Sequence, residues 1–423
     1  MKLNYRRTFF IGLAFMSISA FWQLYDSIIP LILKDTFQVA HTQSGIIMAL
    51  DNILALFMLP VFGALSDRVN TKIGKRMPFI LGGTAVAVLS MVLIPMADNA
   101  VKFPLFMGAL LVALVAMSTY RSPAVALMPD VTPKPLRSQA NGIINLMGAL
   151  GAIYSLGLIS ALVPKEGRPN YLPIFAFVGA LMALAVVILF LTVKEKKVAE
   201  EMRAYETGEE EEEKQGASGP MDPAVRRSFA LILASIFLWF FAYNAVTTAF
   251  SKYAQDYLGI AGGGFANSLM LATVAAVVAF IPAGLIAGKI GRKRTIMSGI
   301  TVLGLCFFIA AFFKSFTPLL NVLLVLIGFA WAAINVNSYP MVVEMAKGAD
   351  IGKYTGYYYT ASMSAQILTP ILSGMLLDRL GYWTLFPYAT VFSILAFLTM
   401  SQVRHGDSKA IAARSKLELL DVD

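Results

Sequence analysis

The chain has 423 residues, 58% of them hydrophobic and 14% charged, with a net charge of +9 and a single cysteine. Its mean hydropathy of +0.70 excludes a soluble domain, whose interior could not bury that much apolar surface. One cysteine excludes a disulfide framework or a thiolate metal site, and basic residues confined to short loops between apolar runs speak for membrane topology, not for nucleic-acid binding.

Apolar runs long enough to cross a hydrocarbon core of about 30 Å recur along the chain. Twelve spans are predicted, near 8–33, 42–66, 78–97, 104–129, 138–162 and 172–193, then 228–256, 263–288, 294–313, 318–344, 354–377 and 382–402. The first run, from Phe9 to Leu33, is too long for a secretory signal and lacks a small-residue cleavage pattern, so it reads as span one. Basic residues mark the first tail (Lys2, Arg6, Arg7) and alternate loops: Arg68 to Arg76, Lys134 with Arg137, Lys194 to Lys197, Lys289 to Arg294, and Lys347 with Lys353. Those loops and both termini are expected to face the cytoplasm. Residues 194–227 include five consecutive glutamates and read as an acidic cytoplasmic linker. The linker divides a six-span bundle over 1–193 from a second over 228–402, with a cytoplasmic tail over 403–423. The predicted fold is an all-α membrane protein of two pseudo-symmetric six-helix bundles.

Ionisable groups inside spans are costly and usually face a cavity. Asp26 in "FWQLYDSIIPLIL" and Asp51 in "IIMALDNILALF" are such groups. Helix rise places Asp26 roughly 10 Å and Asp51 roughly 14 Å below the outer boundary, at similar depth on consecutive spans. Two neighbouring carboxylates in a low-dielectric cavity resist simultaneous ionisation, which suits a group that takes up and releases a proton. A sodium site built from Asp26, Asp51 and Asn52 oxygens is the alternative. Ser19, Trp22, Gln23 and Asp26 recur at i, i+3, i+4 and i+7, one helical face that combines an aromatic plate with polar groups, as a sugar requires. Arg121, in span four, carries a permanent charge that needs an anion, carbonyls or water.

The halves echo each other. "GALSDRVNTKIGKR" after span two corresponds to "GLIAGKIGRKR" after span eight, and "SPAVALMPDV" closing span four corresponds to "SYPMVVEMA" closing span ten. Such duplication is found in transporters built from repeated bundles. Gly63-Ala-Leu-Ser-Asp67-Arg68 with Gly74-Lys75-Arg76 resembles the cytoplasmic loop signature of the major facilitator superfamily. "RSPAVALMPD", "RSQANGIINLMGALG", "WFFAYNA", "NVNSYPMVVEMA" and "GYYYTASMSAQILTPILSG" resemble its sugar:cation symporter branches, the glycoside–pentoside–hexuronide group and the sucrose-type proton symporters.

The resemblance implies the major facilitator fold, with spans one, four, seven and ten lining the cavity. It thereby offers Tyr243, Asn244 and Thr247 of span seven and Trp331, Asn335 and Asn337 of span ten as substrate contacts, with Tyr358, Tyr359 and Gln366 of span eleven beside them. Sucrose-type relatives also carry a span-four arginine; Arg121 stands about one turn outward of it. On the cytoplasmic side, Gly63 permits close helix approach. Asp67, Arg68, Lys75, Arg76, Asp130, Arg292 and Glu344 are expected to form ion pairs that latch the two bundles and release during the cycle. Helix-interrupting prolines (Pro30, Pro123, Pro340, Pro370) and close-contact glycines (Gly148, Gly151, Gly157) fit moving helices.

There is no phosphate-binding loop, and His41 and His405 stand alone, so neither an ATP-driven pump nor a hydrolase is expected. The chain reads as a secondary active transporter of the cell membrane, acting as a monomer, not an enzyme, with no cofactor or metal beyond its coupling ion. The expected activity is uptake of a di- or oligosaccharide or glycoside with a proton. Drug:proton antiport, lysolipid movement, sodium coupling and a non-transporting sensor are the alternatives.

Overall fold

A computed structural model of the chain describes residues 3–132, 136–198, 222–345 and 351–406. The run of five glutamates, Lys134, Lys347 and the tail from 407 onward lie outside the described residues.

Among the described residues there are twelve helices long and apolar enough to cross a membrane. They are α1 (Tyr5–Asp35), α2 (His41–Arg68), α3 (Met77–Asn99), α4 (Phe103–Asp130), α5 (Arg137–Leu162) and α6 (Leu172–Thr192), then α7 (Pro223–Asp256), α8 (Gly264–Ile290), α9 (Arg292–Ala310), α10 (Pro318–Val343), α11 (Ile351–Leu380) and α12 (Leu385–Ser401), the last preceded by a 3-10 turn at Tyr382–Thr384. A helix satisfies its backbone groups internally, which lipid demands. The starts are chemically marked: Asn4 accepts from the Arg7 N–H at α1, and proline occupies the first positions of α3, α4, α6 and α10, where a missing N–H costs nothing. The largest shift from the predicted bounds is at α7. Asp222 accepts from the Ala224 N–H and Pro223 follows it, so this helix begins five residues before the predicted start at 228.

The prolines expected to interrupt spans do not do so. Pro30, Pro123, Pro340 and Pro370 each lie inside a continuous helix, since packed neighbours tolerate the lost backbone bond.

The chain forms two compact units. In the first, α1 packs on α5, α6 and α4, and α3 packs on α4 and α6. In the second, α7 packs on α11 and α12, and α9 packs on α10 and α12. The pairing order is the same in both, a structural counterpart of the sequence echo. Inside the first unit, Tyr120 donates to the Ala14 carbonyl at 3.0 Å and meets Ser17 Oγ at 2.6 Å, while Ser155 Oγ donates to the Ala20 carbonyl at 2.7 Å. A Cβ at Gly151 would come within 1.9 Å of the Met16 carbonyl, so α5 needs glycine there to reach α1; Gly157 faces open space. Large apolar side chains such as Leu89 and Phe312 point outward, 69% and 70% exposed, as lipid-facing residues do. Two short segments group away from their sequence neighbours: Val39–Ala49, with the first turns of α2, belongs to the second unit, and Ala261–Met270, at the start of α8, belongs to the first.

Candidate functional site

The first unit gathers charge inside its spans. Asp26 on α1 and Asp51 on α2 are close enough to feel each other's charge, and Tyr25 feels both. They do not share an environment. Asn52 Nδ2 donates to Asp51 Oδ1 at 2.8 Å, and Arg121 on α4 acts on Asp51 electrostatically. Asp26 has no hydrogen bond or ion pair among the described residues. The Arg121 guanidinium also lies over the Trp22 ring, 5.9 Å from its centroid, a cation–π contact that orients the arginine. Tyr25 and Phe21 meet Trp22 edge-on at 5.6 and 5.0 Å, and the buried Trp22 Nε1–H has no acceptor among the described residues. The result is an aromatic plate, a cation, a buttressed carboxylate and a free one.

The polar stripe of α1 divides. Trp22 and Asp26 belong to this cluster. Gln23 instead donates to Ser27 Oγ at 3.1 Å along its own helix, and Ser19 faces α5, where a Cβ at Gly148 would come 2.9 Å from its Oγ. At about 100° per residue, Gln23 and Ser27 lie round the helix from Trp22.

In the second unit Tyr243 on α7 stacks on Trp331 of α10, with ring centroids 3.7 Å apart and planes 5° from parallel. Phe240 meets the same indole edge-on at 5.2 Å. The buried Nδ2 of Asn244, next along α7, has no hydrogen-bond acceptor among the described residues. The other expected contacts are engaged locally. Asn335 Nδ2 donates to the Trp331 carbonyl at 3.3 Å, Asn337 Nδ2 to the Ala333 carbonyl at 2.8 Å, and Gln366 Nε2 to the Ser362 carbonyl at 3.4 Å. Tyr358 is buried against α10, its hydroxyl 3.2 Å from Ser338 Oγ, so it packs two helices together. Tyr359 is 41% exposed.

The loop after α2 forms a second charged cluster. Arg76 is only 4% exposed. Its Nε donates to Asp130 at 2.9 Å, Nη2 to Asp67 at 2.5 Å, and Nη1 to the Gly63 carbonyl at 3.2 Å and to Ser66 Oγ. Lys75 Nζ lies 3.3 Å from Asp67 and 3.1 Å from Asp130. In the second unit Arg292, at the start of α9, pairs with Glu344 at the end of α10. These charges were expected to latch one bundle to the other. Each pair instead closes inside one unit, and the Arg76 fork is used up on α2 and α4. Arg68 is exposed and makes no hydrogen bond or ion pair among the described residues.

Sequence reasoning missed Glu195. This carboxylate, 1% exposed, accepts from the Lys75 N–H at 2.8 Å, the Arg76 N–H at 2.9 Å and the Met77 N–H at 2.9 Å, capping the start of α3 from beyond α6. Gly74 has φ +118°, and a Cβ there would come within 2.2 Å of the Glu195 carboxylate, so the loop needs glycine twice over. A lone acid in the basic run "VKEKK" was the available sign. Glu195→Ala leaves three N–H groups without acceptors and is expected to cost about 3 kcal/mol, measurable as a lower unfolding midpoint in detergent. Glu195→Gln, which keeps an acceptor oxygen, should recover part of it.

The major facilitator superfamily model matches residues 11–280 and 264–419. The chain belongs to that superfamily. It is a transporter, not an enzyme. A protein of Staphylococcus epidermidis described as "Probable nitrate transporter" is 24% identical over 47% of this chain and 48% of its own length. A sucrose transport protein of Arabidopsis thaliana is 27% identical over 31% of this chain and 25% of its own length. The matched regions thus span half or less of these curated relatives. Among solved structures, a nucleoside transporter superposes with a TM-score of 0.69 at 14% identity, over 94% of this chain and 100% of its own. A POT family transporter in complex with 5-aminolevulinic acid superposes with a TM-score of 0.70 at 11% identity, over 95% and 96%. The human organic anion transporter does so with 0.62 at 16% identity, over 94% and 100%. At these identities the likeness is one of fold. The protein is a multi-pass membrane protein.

Proposed function

We propose that this transporter takes up a sugar, a di- or oligosaccharide or glycoside, together with a proton by alternating access. The observation that carries the reading is the unpartnered carboxyl of Asp26 inside span one, beside an Asp51 already engaged by Asn52 and Arg121. A free acid next to a second acid loads a proton readily and loses it when its surroundings change. Asp51 and Arg121 form the fixed partners that sense that charge. A proton fits better than sodium because one Asp51 oxygen already accepts from Asn52, which thins the oxygen set a metal cation would need.

The sugar assignment rests on the aromatic surfaces. Each unit by itself sets aromatic rings beside an N–H donor unpartnered among the described residues: Trp22 and its Nε1–H in the first, the Tyr243–Trp331 stack and the Asn244 Nδ2 in the second. Such donors meet hydroxyl oxygens while rings cover the apolar face of a pyranose. The sucrose transport protein among the relatives points the same way. Arg121 and the nitrate relative favour a second reading, anion transport; the Asp51 carboxylate that already acts on the guanidinium opposes it. By the positive-inside rule both termini and the loops after α2, α4, α6, α8 and α10 face the cytoplasm in this reading, with the protein in the plasma membrane as a functional monomer.

The deciding test uses purified transporter in lightly buffered proteoliposomes offered a glycoside panel and, separately, nitrate. A glycoside should alkalinise the medium as it enters and exchange with trapped glycoside in counterflow. Nitrate-driven flux with no response to any glycoside overturns the sugar assignment; glycoside accumulation that follows a sodium gradient and ignores a pH gradient overturns the proton.

A further inference from the structure

A polar cavity lies at the end of the first unit opposite the Arg76 loop, where α1 and α3 finish and α6 starts. Its volume is about 410 Å³, and Asp35, Thr36, Val101, Arg168, Pro169 and Tyr171 are among the residues that line it. All six belong to the first unit. A water occupies about 30 Å³ in the liquid, so the space exceeds a hydration pocket and falls in the range of small-molecule sites. Counting along α1 puts Asp35 roughly 20 Å from Trp22, well away from the cluster described above.

The walls hold their charges in pairs. Asp98, in the last turn of α3 and 1% exposed, fixes two of the lining side chains. Its Oδ1 accepts from the Thr36 hydroxyl at 2.5 Å and lies 3.4 Å from Arg168 Nη2, which also donates to the Asp98 carbonyl at 2.5 Å. Asp35 pairs with Lys34 at 3.0 Å. Each charge thus has a counter-charge, and what the cavity has to spare is hydrogen bonding. Of the five N–H groups on a guanidinium, only those on Arg168 Nη2 are engaged among the described residues. Tyr171 is 3% exposed, yet its hydroxyl makes no hydrogen bond among the described residues. Burial first, then Asp35 and Asp98, push that hydroxyl above the ordinary tyrosine range, which sets it within reach of both acids' charge. A buried hydroxyl without a partner costs free energy, so a ligand that supplies one stabilises the site.

We propose that this cavity is a binding site for a neutral polyhydroxy molecule, separate from the Trp22 cluster. The spare Arg168 N–H groups donate to ligand oxygens, Asp35 accepts from ligand hydroxyls, and the Tyr171 hydroxyl does either. Val101 and Pro169 supply apolar surface for the ligand's C–H groups. Neighbouring hydroxyls on one carbon frame present donor and acceptor side by side, which suits a cavity holding both a guanidinium and a carboxylate. A charged or zwitterionic molecule, a lipid headgroup included, has to compete with Asp98 or Lys34 for a partner already taken. Asp98 is a positioning residue here, since it holds Arg168 and Thr36 and is itself buried. The assignment uses nothing from the sugar or proton reading and stands or falls apart from it.

The test is maleimide labelling of the full chain in lipid nanodiscs, which leave both faces of the bilayer open and require no transport. In a Cys306→Ser background, Val101→Cys places a thiol on the cavity wall, where the native side chain is 55% exposed, and Pro169→Cys is the second reporter. Sucrose should slow labelling at both positions to a saturable limit, while glucuronate and glycerophosphoethanolamine should not. Tyr171→Phe removes a hydroxyl with no bond among the described residues, so the fold loses nothing by it. That variant should raise the half-protecting sucrose concentration by about 2- to 12-fold, and Arg168→Gln by at least about 12-fold. Absence of protection by sucrose at both positions, equal protection by either charged compound, or a half-protecting concentration that neither variant moves overturns the site.

Discussion

Asp26→Asn is expected to abolish uphill accumulation of substrate while leaving exchange across the membrane in place. A potential of about 100 mV supplies about 2.3 kcal/mol per proton, enough for roughly 50-fold accumulation. With no group to carry the proton, that ratio falls to one. Asparagine keeps the volume and polarity of the side chain, and exchange needs no net proton movement, so counterflow should persist. Asp51→Asn has a different expected outcome, because Asp51 bonds Asn52 and faces Arg121. Its loss leaves a guanidinium beside Trp22 without its carboxylate, so substrate affinity should change as well as coupling. Paired measurements of accumulation and counterflow separate the two. Full accumulation by Asp26→Asn removes Asp26 from the proposed engine, and loss of accumulation in Asp51→Asn alone exchanges the roles.

Arg76→Ala is expected to destabilise the transporter by about 3 kcal/mol, near the lower end for breaking a buried ion pair. The discount is physical: Asp67 is 55% exposed and rehydrates, and Lys75 remains near both acids. Against a total stability of 5–15 kcal/mol typical of proteins, the loss should show as a lower unfolding midpoint and poorer recovery of folded protein. Arg76→Lys keeps the charge and loses the planar fork that reaches Asp130, Asp67, Gly63 and Ser66 together, so it should rescue only part. A latch joining the two halves predicts the opposite pattern: near-normal stability, with a shift in which side of the protein is accessible to thiol reagents. That result would restore the role as a latch between bundles that the sequence pointed to and displace the structural one.

The Arg76 case shows where reading residues stops. The twelve spans were legible because lipid imposes a length and a composition on every crossing helix, and those constraints are local. Asp26 and Asp51 were legible for the same reason: a carboxylate inside an apolar run is costly wherever the helix goes, and rise arithmetic fixes its depth. The echo between "GALSDRVNTKIGKR" and "GLIAGKIGRKR" told of duplication, which reappears as the shared pairing order of α1 with α5 and α7 with α11.

Partners were another matter. Depth along a helix follows from counting, while rotation about the axis and the choice of neighbour depend on packing over hundreds of residues. Gln23 turned to Ser27 and Ser19 to α5, though both shared a predicted face with Trp22. Tyr358 went into the contact between α10 and α11, and the basic loop closed on its own unit. Glu195 sat unnoticed because it caps a helix remote from it in sequence, and nothing in a local window shows where an unsatisfied N–H will find its acceptor. The sequence by itself therefore determined that this is a membrane protein of twelve helices with acids at depth. Only the tertiary structure decided which of those acids is free and which is held, because a hydrogen bond depends on distances the chain sets through its fold.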